Sequence, residues 1–217
     1  MEKALDYQEL YLLQDEILNL MSSIENDFYL TGGTALHRFY FGARYSDDLD
    51  FFVSNGKNFN EDVEEFYDAL IEQNYKTSRI VDSRDYYRFV VDEKLQIDLV
   101  NDRVFRYKKS QFVNGIRIDN DINILTNKIC AILNRDEEKD IFDLFCFVYF
   151  KDFHWGDIFE NANKKQTIQK DIFIYRLKTF PLFWLNKIKS IKEVEIKEEM
   201  IERICDDIEK EEWNRKS

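Results

Sequence analysis

Residues 29–53 read YLTGGTALHRFYFGARYSDDLDFFV, and this stretch decides the fold. An apolar run ends abruptly at Gly32-Gly33, although the whole chain holds only 6 glycines. The glycine pair marks a turn, and Thr34 is placed to cap a helix running to about Phe41. A second apolar run, Leu49–Val53, follows and reads as a strand. Residues two apart on a strand share a face, so Asp48 and Asp50 project together while Leu49 turns to the core.

Two carboxylates held that close repel one another unless a cation lies between them. Hard oxygen donors suit Mg²⁺ or Mn²⁺. Asp98 sits between Ile97 and Leu99 in another apolar stretch, LQIDLVN, and is a third candidate, because a carboxylate there is costly unless paired or metal-bound. Three acids on neighbouring strands are expected to hold two metal ions about 3.5–4 Å apart, the arrangement used in phosphoryl and nucleotidyl transfer. Glycines without Cβ atoms let backbone approach a phosphate closely, and a following helix N-terminus offers free N–H groups to it. The Thr34 hydroxyl is expected to add to that cradle.

Working outward, residues 4–24 carry apolar residues at helical spacing, among them Leu5, Leu12, Leu13, Ile17, Leu20 and Met21. FYL reads as a short strand before the glycines. Residues 60–73 read as a helix with an acidic first turn. Residues 75–101 suggest three strands with turns at DSRD and DEK. GIRI opens a further strand, and from Asp121 onward the pattern is helical, most clearly over 121–134, 138–150 and roughly 194–213. The expected fold class is α+β: a short mixed sheet flanked by helices over residues 1–120, and a helical C-terminal part over 121–217 that completes the active site.

The composition fits a globular chain, with 44% hydrophobic and 34% charged residues in 217. The longest apolar run, LFCFVYF at 144–150, is too short for a membrane span. The N-terminus carries no apolar signal segment, and the 3 cysteines (Cys130, Cys146, Cys205) show no CxxC spacing. Together these features point to the cytoplasm and to no membrane partner. A net charge of −12 argues against a surface that coats nucleic acid uniformly. Two stretches depart from that balance. Residues 161–190 set Lys164, Lys165, Lys170, Arg176, Lys178, Lys187 and Lys189 against Asp171 alone, and residues 101–117 set five basic residues against Asp102. Such patches are compatible with a polyanion, although for either patch alone a solvated face of snorkelling lysines is the first reading. No GxxxxGK[ST] is present, which excludes a P-loop NTPase, and no GxSxG or Cys–His pattern points to acyl transfer.

GGTAL followed by RYSDDLDFF resembles the AbiEii/AbiGii-type nucleotidyltransferase toxins of abortive-infection and toxin–antitoxin systems, and NKICAILNRDEEKDIFDLF, at 127–145, is similar to their downstream signature. The resemblance covers roughly residues 28–150. It implies a DNA polymerase β-like nucleotidyltransferase fold with NTP as substrate and a cognate antitoxin as partner. It also implies that Gly32, Gly33 and Thr34 bind the nucleotide and that Ser46 lines the phosphate site. Asp48 and Asp50 would hold metal, Lys128 would contact the triphosphate, and Asp140 would be a functional acid. A third strand carboxylate often acts as base in this superfamily, and Asp98 fits that place.

Other readings stand beside these. Lys128 reads alternatively as a surface lysine paired with an acid one turn away. Arg44 is either a phosphate contact or a salt bridge to Asp47 or Asp48. Asp47 is expected in solvent, and Asp143 as a structural partner, with Arg135 as its counterpart. His37 and His154 read as ordinary polar residues, with no zinc pattern around them. The leading function is transfer of NMP from an NTP to RNA such as a tRNA 3′ end, with Phe173 and Tyr175 as aromatics able to stack unpaired bases and helix-core packing expected of at least one of them. The alternatives are transfer to a small molecule or a protein hydroxyl, and a non-catalytic nucleotide- or partner-binding module.

Overall fold

The computed structural model describes residues 6–216. The chain forms two compact units. The first takes the described residues up to 35, then 46–103 and 110–119; the second takes 36–45, 104–109 and everything from 120 onward. Against the expected division at residue 120, the short segments 36–45 and 104–109 group with the C-terminal unit.

The first unit opens with α1 (Tyr7–Ser23), capped by Asp6, whose carboxylate accepts the N–H groups of Gln8 at 2.9 Å and Glu9 at 3.3 Å. Leu10, Leu13, Ile17, Leu18 and Met21 form its buried stripe. Leu12, expected inside, is 65% exposed because it falls beside that stripe, and Leu5 lies outside the described residues. Next come β1 (Tyr29–Thr31), α2 (Gly32–Leu36), β2 (Asp48–Ser54), α3 (Phe59–Glu72), β3 (Thr77–Ser83), β4 (Tyr86–Val91), β5 (Leu95–Asp102), β6 (Gln111–Val113) and β7 (Ile116–Ile118).

The strands make one mixed sheet of 7 in the order β3-β4-β5-β2-β1-β7-β6. Strand β2 lies inside it, antiparallel to β1 and parallel to β5. Its burial alternates as the sequence pattern requires: Leu49, Phe51 and Val53 are buried, while Asp48 and Asp50 share the other, half-buried face. Ile97 and Leu99 of β5 and Phe89 of β4 extend the core, and α3 adds Val63, Phe66 and Leu70. Phe51 and Phe66 meet edge to face with ring centres 6.4 Å apart. Strand β6, absent from the sequence reading, pairs with β7 across Asn114-Gly115. Both turn residues have positive φ, 51° and 82°, which suits a two-residue hairpin between right-twisted strands.

In the second unit, residues 37–41 form a π-type turn that ends at Gly42, where φ is +60°. The following residues are stitched to 189–191 by backbone: the Tyr45 N–H donates to the Lys189 carbonyl (3.0 Å), and the Ile191 N–H to the Ala43 carbonyl (2.7 Å). The rest comprises α4 (Asp121–Asn134), α5 (Glu138–Phe150), β8 (Phe153–His154), α6 (Trp155–Asn163), α7 (Lys170–Thr179), a 3₁₀ turn (Leu182–Lys187), α8 (Glu198–Lys210) and β9 (Trp213–Asn214). Helix α4 packs against α5, α6 and α7, and α8 packs against α6 and α7. Trp155, Phe147, Phe159 and Phe173 are buried at the centre of this unit. Phe173 stacks edge to face on Phe159 at 5.4 Å and is core, the helix packing expected of at least one of Phe173 and Tyr175. Tyr175, two residues on, is 66% exposed. Among the described residues no helix is long and apolar enough to cross a membrane.

Candidate active site

The glycine turn and the aspartate strand meet at one corner of the first unit. Gly32 has φ +69°, a left-handed conformation that residues with a Cβ adopt at a cost. A Cβ on Gly32 would also collide with the Asp50 carboxylate. Two independent constraints thus demand glycine there, and both belong to the junction of turn and strand. Gly33 is buried and lies outside the positive-φ region. Thr34 departs from its expected role. The helix begins at Gly32, so Thr34 is not its cap; it is fully buried and donates its hydroxyl to the carbonyl of Asp48. That hydroxyl fastens the turn to the strand rather than lining a phosphate cradle.

Ser46 is also buried, and α1 pins its backbone. Its N–H donates to the Tyr11 hydroxyl at 3.1 Å, and its carbonyl accepts from Gln14 at 3.0 Å. Asp47, just before β2, is exposed, as expected. Register places Thr31 opposite Asp50 on one side and Asp98 opposite Asp50 on the other. Thr31 donates to Asp119 at 2.9 Å, a buried carboxylate just past β7. Asp119 escaped the sequence reading because it closes a three-residue strand with no alternation to expose it.

The chemistry of this donor set fits a hard divalent cation only in part. Asp48 and Asp50 share a face of β2, and the missing Cβ of Gly32 leaves room for the Asp50 carboxylate. Asp98 does not join them as expected. Strand β4 sets Arg88 directly opposite it, and the guanidinium grips both carboxylate oxygens, Nε to Oδ1 and Nη2 to Oδ2, each at 2.7 Å. The Tyr86 hydroxyl (3.2 Å) and the Gln96 amide (3.4 Å) also donate to Oδ2. Among the described residues no three His, Cys, Asp or Glu side chains gather as a metal site. The three-carboxylate arrangement expected from the sequence is thus replaced by a same-face pair beside an Asp98–Arg88 ion pair. The lone arginine in the apolar run YYRFVV signals that a strand carboxylate could be paired, but not which one.

The second unit holds a buried polar cluster built from α4, α5 and the segment 37–45. Lys128 is buried, and its ammonium lies 2.8 Å from Asp140 and 2.7 Å from Asp143, so the surface reading of this lysine is wrong. Asp143 also receives Nε and Nη2 of Arg44, at 2.7 and 2.9 Å, and lies 2.8 Å from Nε2 of His37. Arg44 gives its Nη1 to the Tyr45 carbonyl at 2.8 Å. Of the two readings of Arg44 the geometry realises an ion pair, with Asp143 as partner. Arg135, expected at Asp143, instead pairs with Asp140 at 2.7 Å.

Electrostatics explain the protonation of this cluster. Burial pushes the Asp143 carboxyl up, but the Arg44 and Lys128 charges overcome it and hold it well below the usual carboxylate range. Burial would strip the Lys128 proton, yet Asp143 and Asp140 raise its affinity above that of an ordinary lysine. For His37 burial wins over the Asp143 contact and lowers the pKa. Its Nδ1 accepts the Ala43 N–H at 3.3 Å, which assigns the proton of the neutral ring to Nε2, facing Asp143. His37 is thus an ordered member of the cluster.

Comparisons with known proteins agree with this architecture. The family model described as the nucleotidyl transferase AbiEii toxin, type IV toxin–antitoxin system, matches residues 18–215. An uncharacterized protein of Aquifex aeolicus (strain VF5) is 33% identical over 130 residues, 55% of this chain and 56% of its own length. The chain therefore spans little more than half the length of that relative. The crystal structure of JHP933 from Helicobacter pylori superposes with a TM-score of 0.56 at 19% identity, covering 94% of each chain. A further H. pylori structure, of a candidate nucleotidyltransferase, gives 0.55 at 19% identity, covering 97% of this chain and 98% of that one. At such identities the likeness speaks for the fold.

Proposed function

This chain belongs to the AbiEii nucleotidyl transferase toxin family of type IV toxin–antitoxin systems, and from that premise we propose that it is a metal-dependent nucleotidyltransferase. It moves NMP from an NTP to an acceptor, RNA such as a tRNA 3′ end, and acts as the toxin beside a cognate antitoxin in the cytoplasm. The observation that carries this reading is the corner where Gly32, at φ +69°, makes room for Asp50 while Thr34 ties the turn to Asp48. A turn so fastened holds the two carboxylates in a fixed relation to the backbone around the glycines. Such preorganisation is what an in-line transfer needs, since its rate comes from positioning and charge stabilisation. Mg²⁺ or Mn²⁺ held by Asp48 and Asp50 would neutralise charge building on the phosphates. The stretch similar to the downstream family signature carries Lys128, Asp140 and Asp143 of the buried cluster, and we assign these side chains, with Arg44, to shaping the second unit.

The test is incubation of the purified chain with each labelled NTP, total RNA and Mg²⁺. Labelled RNA is expected, with loss of roughly 10³-fold or more in rate for Asp50→Asn at unchanged circular dichroism. Full turnover by a folded Asp50→Asn chain would remove the metal role, and label on protein or small molecules alone would reassign the acceptor.

A further inference from the structure

Arg88 and Asp98 form a contact that works against a three-carboxylate site, and their geometry is too specific for a chance surface pair. They are register partners on adjacent antiparallel strands. The fork is bidentate with both contacts at 2.7 Å, and Tyr86 and Gln96 add donors on the same carboxylate. The Asp98 side chain is 12% exposed and that of Arg88 34%, so the pair is partly screened from water. Asp98 is also the register partner of Asp50, whose charge acts on Arg88 as well. The Arg88 guanidinium therefore occupies both carboxylate oxygens of the residue that register sets beside Asp50.

We propose that Arg88 is an internal counter-ion that withholds Asp98 from the metal site, so that without nucleotide a divalent ion meets only Asp48 and Asp50. The proposal rests on the reading of Asp48 and Asp50 as metal ligands. Physically, a planar fork that satisfies two oxygens at once offers Asp98 what a metal would offer, with no ion to recruit. It also lowers the repulsion among three acids packed at one corner. Arg88 is on this account a positioning residue, and it is separable from the carboxylates it governs.

The experiment titrates MnCl₂ into the full chain without nucleotide, by calorimetry and by Mn²⁺ electron paramagnetic resonance. Wild type, Asp50→Asn, Arg88→Gln and Arg88→Gln/Asp98→Asn are compared, with circular dichroism as the check on folding. Arg88→Gln is expected to bind Mn²⁺ roughly tenfold or more tightly than wild type, because it frees a carboxylate and removes a like charge. Adding Asp98→Asn should return the affinity to about the wild-type level. An unchanged affinity in Arg88→Gln overturns the proposal, and so does a gain that survives Asp98→Asn, since Asp98 would then not be what Arg88 withholds. The comparison of wild type with Asp50→Asn is read separately: insensitivity there removes the metal reading itself, whereas a sensitive site with an unresponsive Arg88→Gln removes the counter-ion alone. Should glutamine unfold the chain, Arg88→Met, which likewise removes the guanidinium and its charge, still has to bind Mn²⁺ more tightly than wild type.

Discussion

Gly32 shows how much of a site one residue can specify. Its φ of +69° and the Asp50 carboxylate beside it exclude any side chain, so Gly32→Ala must either flip the turn or push Asp50 aside. The conformational cost alone is about 1–2 kcal/mol, while a displacement of Asp50 by an ångström would cost roughly 100-fold in transfer rate. Chemical denaturation and a labelled-NTP assay on the same preparation read the two effects, and a variant that loses neither would show the turn to be dispensable. The glycine pair and the Asp48/Asp50 alternation were legible because each follows from local stereochemistry. His37 was not, because its role is set by Asp143, far along the chain. Its lowered pKa has a consequence with a definite sign. Between the folded value and 6.5 the unfolded chain binds a proton that the folded chain refuses, so stability falls on acidification below pH 6.5. Asp143, depressed in the fold, adds a further loss only when pH drops below its ordinary value of 3.8. Melting temperature should therefore fall from pH 7 to pH 5, by the equivalent of at most about 2 kcal/mol from this residue. His37→Gln, which keeps a donor toward Asp143, should flatten that slope; equal slopes in the two proteins would contradict the assignment.

Elements were read from periodicity, and they succeed or fail with it. β2, α3 and the three strands β3, β4 and β5 appear where alternation and turn residues placed them, the second turn confirmed by positive φ at Asp92 and Glu93. β6 was missed although Asn114-Gly115 announces a hairpin, because Gln111–Val113 is only 3 residues long. Arg88 was missed for a related reason: register between β4 and β5 is a tertiary property, so a lone arginine in one strand and a lone aspartate in another do not reveal that they face each other. At this scale α4 and α5 are joined by charge as well as by packing. Lys128 on α4 faces Asp140 and Asp143 on α5, and all three are buried. Removing one partner from a buried ionic group leaves an uncompensated charge and costs about 3–5 kcal/mol. Arg135 and Arg44 remain beside the two acids, so Lys128→Met is expected at the low end, about 3 kcal/mol by urea denaturation. Adding Asp140→Asn should return part of that loss, a coupling that a double-mutant cycle measures. If Lys128 served only to hold a triphosphate, Lys128→Met would weaken nucleotide binding and leave the urea midpoint where it was.

For the whole molecule the open question is how a chain of net charge −12 engages RNA. Composition singled out the lysines of 161–190, and most of them have neighbours that composition does not show. Lys164 pairs with Glu160 at 2.8 Å, Lys170 with Glu211, and Arg176 with Asp136 at 2.6 Å, while Lys165 reaches Asn127. Acids elsewhere in the sequence thus mute a patch that looks strongly basic when read linearly. Muting is not removal, however. Exposed ion pairs are worth about 0–1 kcal/mol, so a phosphate can displace their carboxylates at little cost. Exposed Tyr175 and Phe183, 66% and 70% accessible, lie in the same stretch of chain and offer stacking faces that buried Phe173 cannot. RNA binding by this face should then fall with salt by about 0.7 log units per decade for each phosphate contact, or roughly 2–3 log units for three or four contacts. The acidic remainder repels RNA most at low salt, so screening of that repulsion should make the fall shallower there. Lys164→Glu combined with Lys165→Glu and Lys170→Glu gives up two ion pairs and the part-buried Lys165–Asn127 contact, so the fold, checked by circular dichroism, and NTP binding should survive while RNA labelling is lost. Filter binding across a salt series, run beside the labelling assay, measures both effects. A triple variant that still labels RNA at the wild-type rate with the wild-type salt slope would exclude this face, and a wild-type chain that labels no RNA would leave a protein hydroxyl or a small molecule as the acceptor.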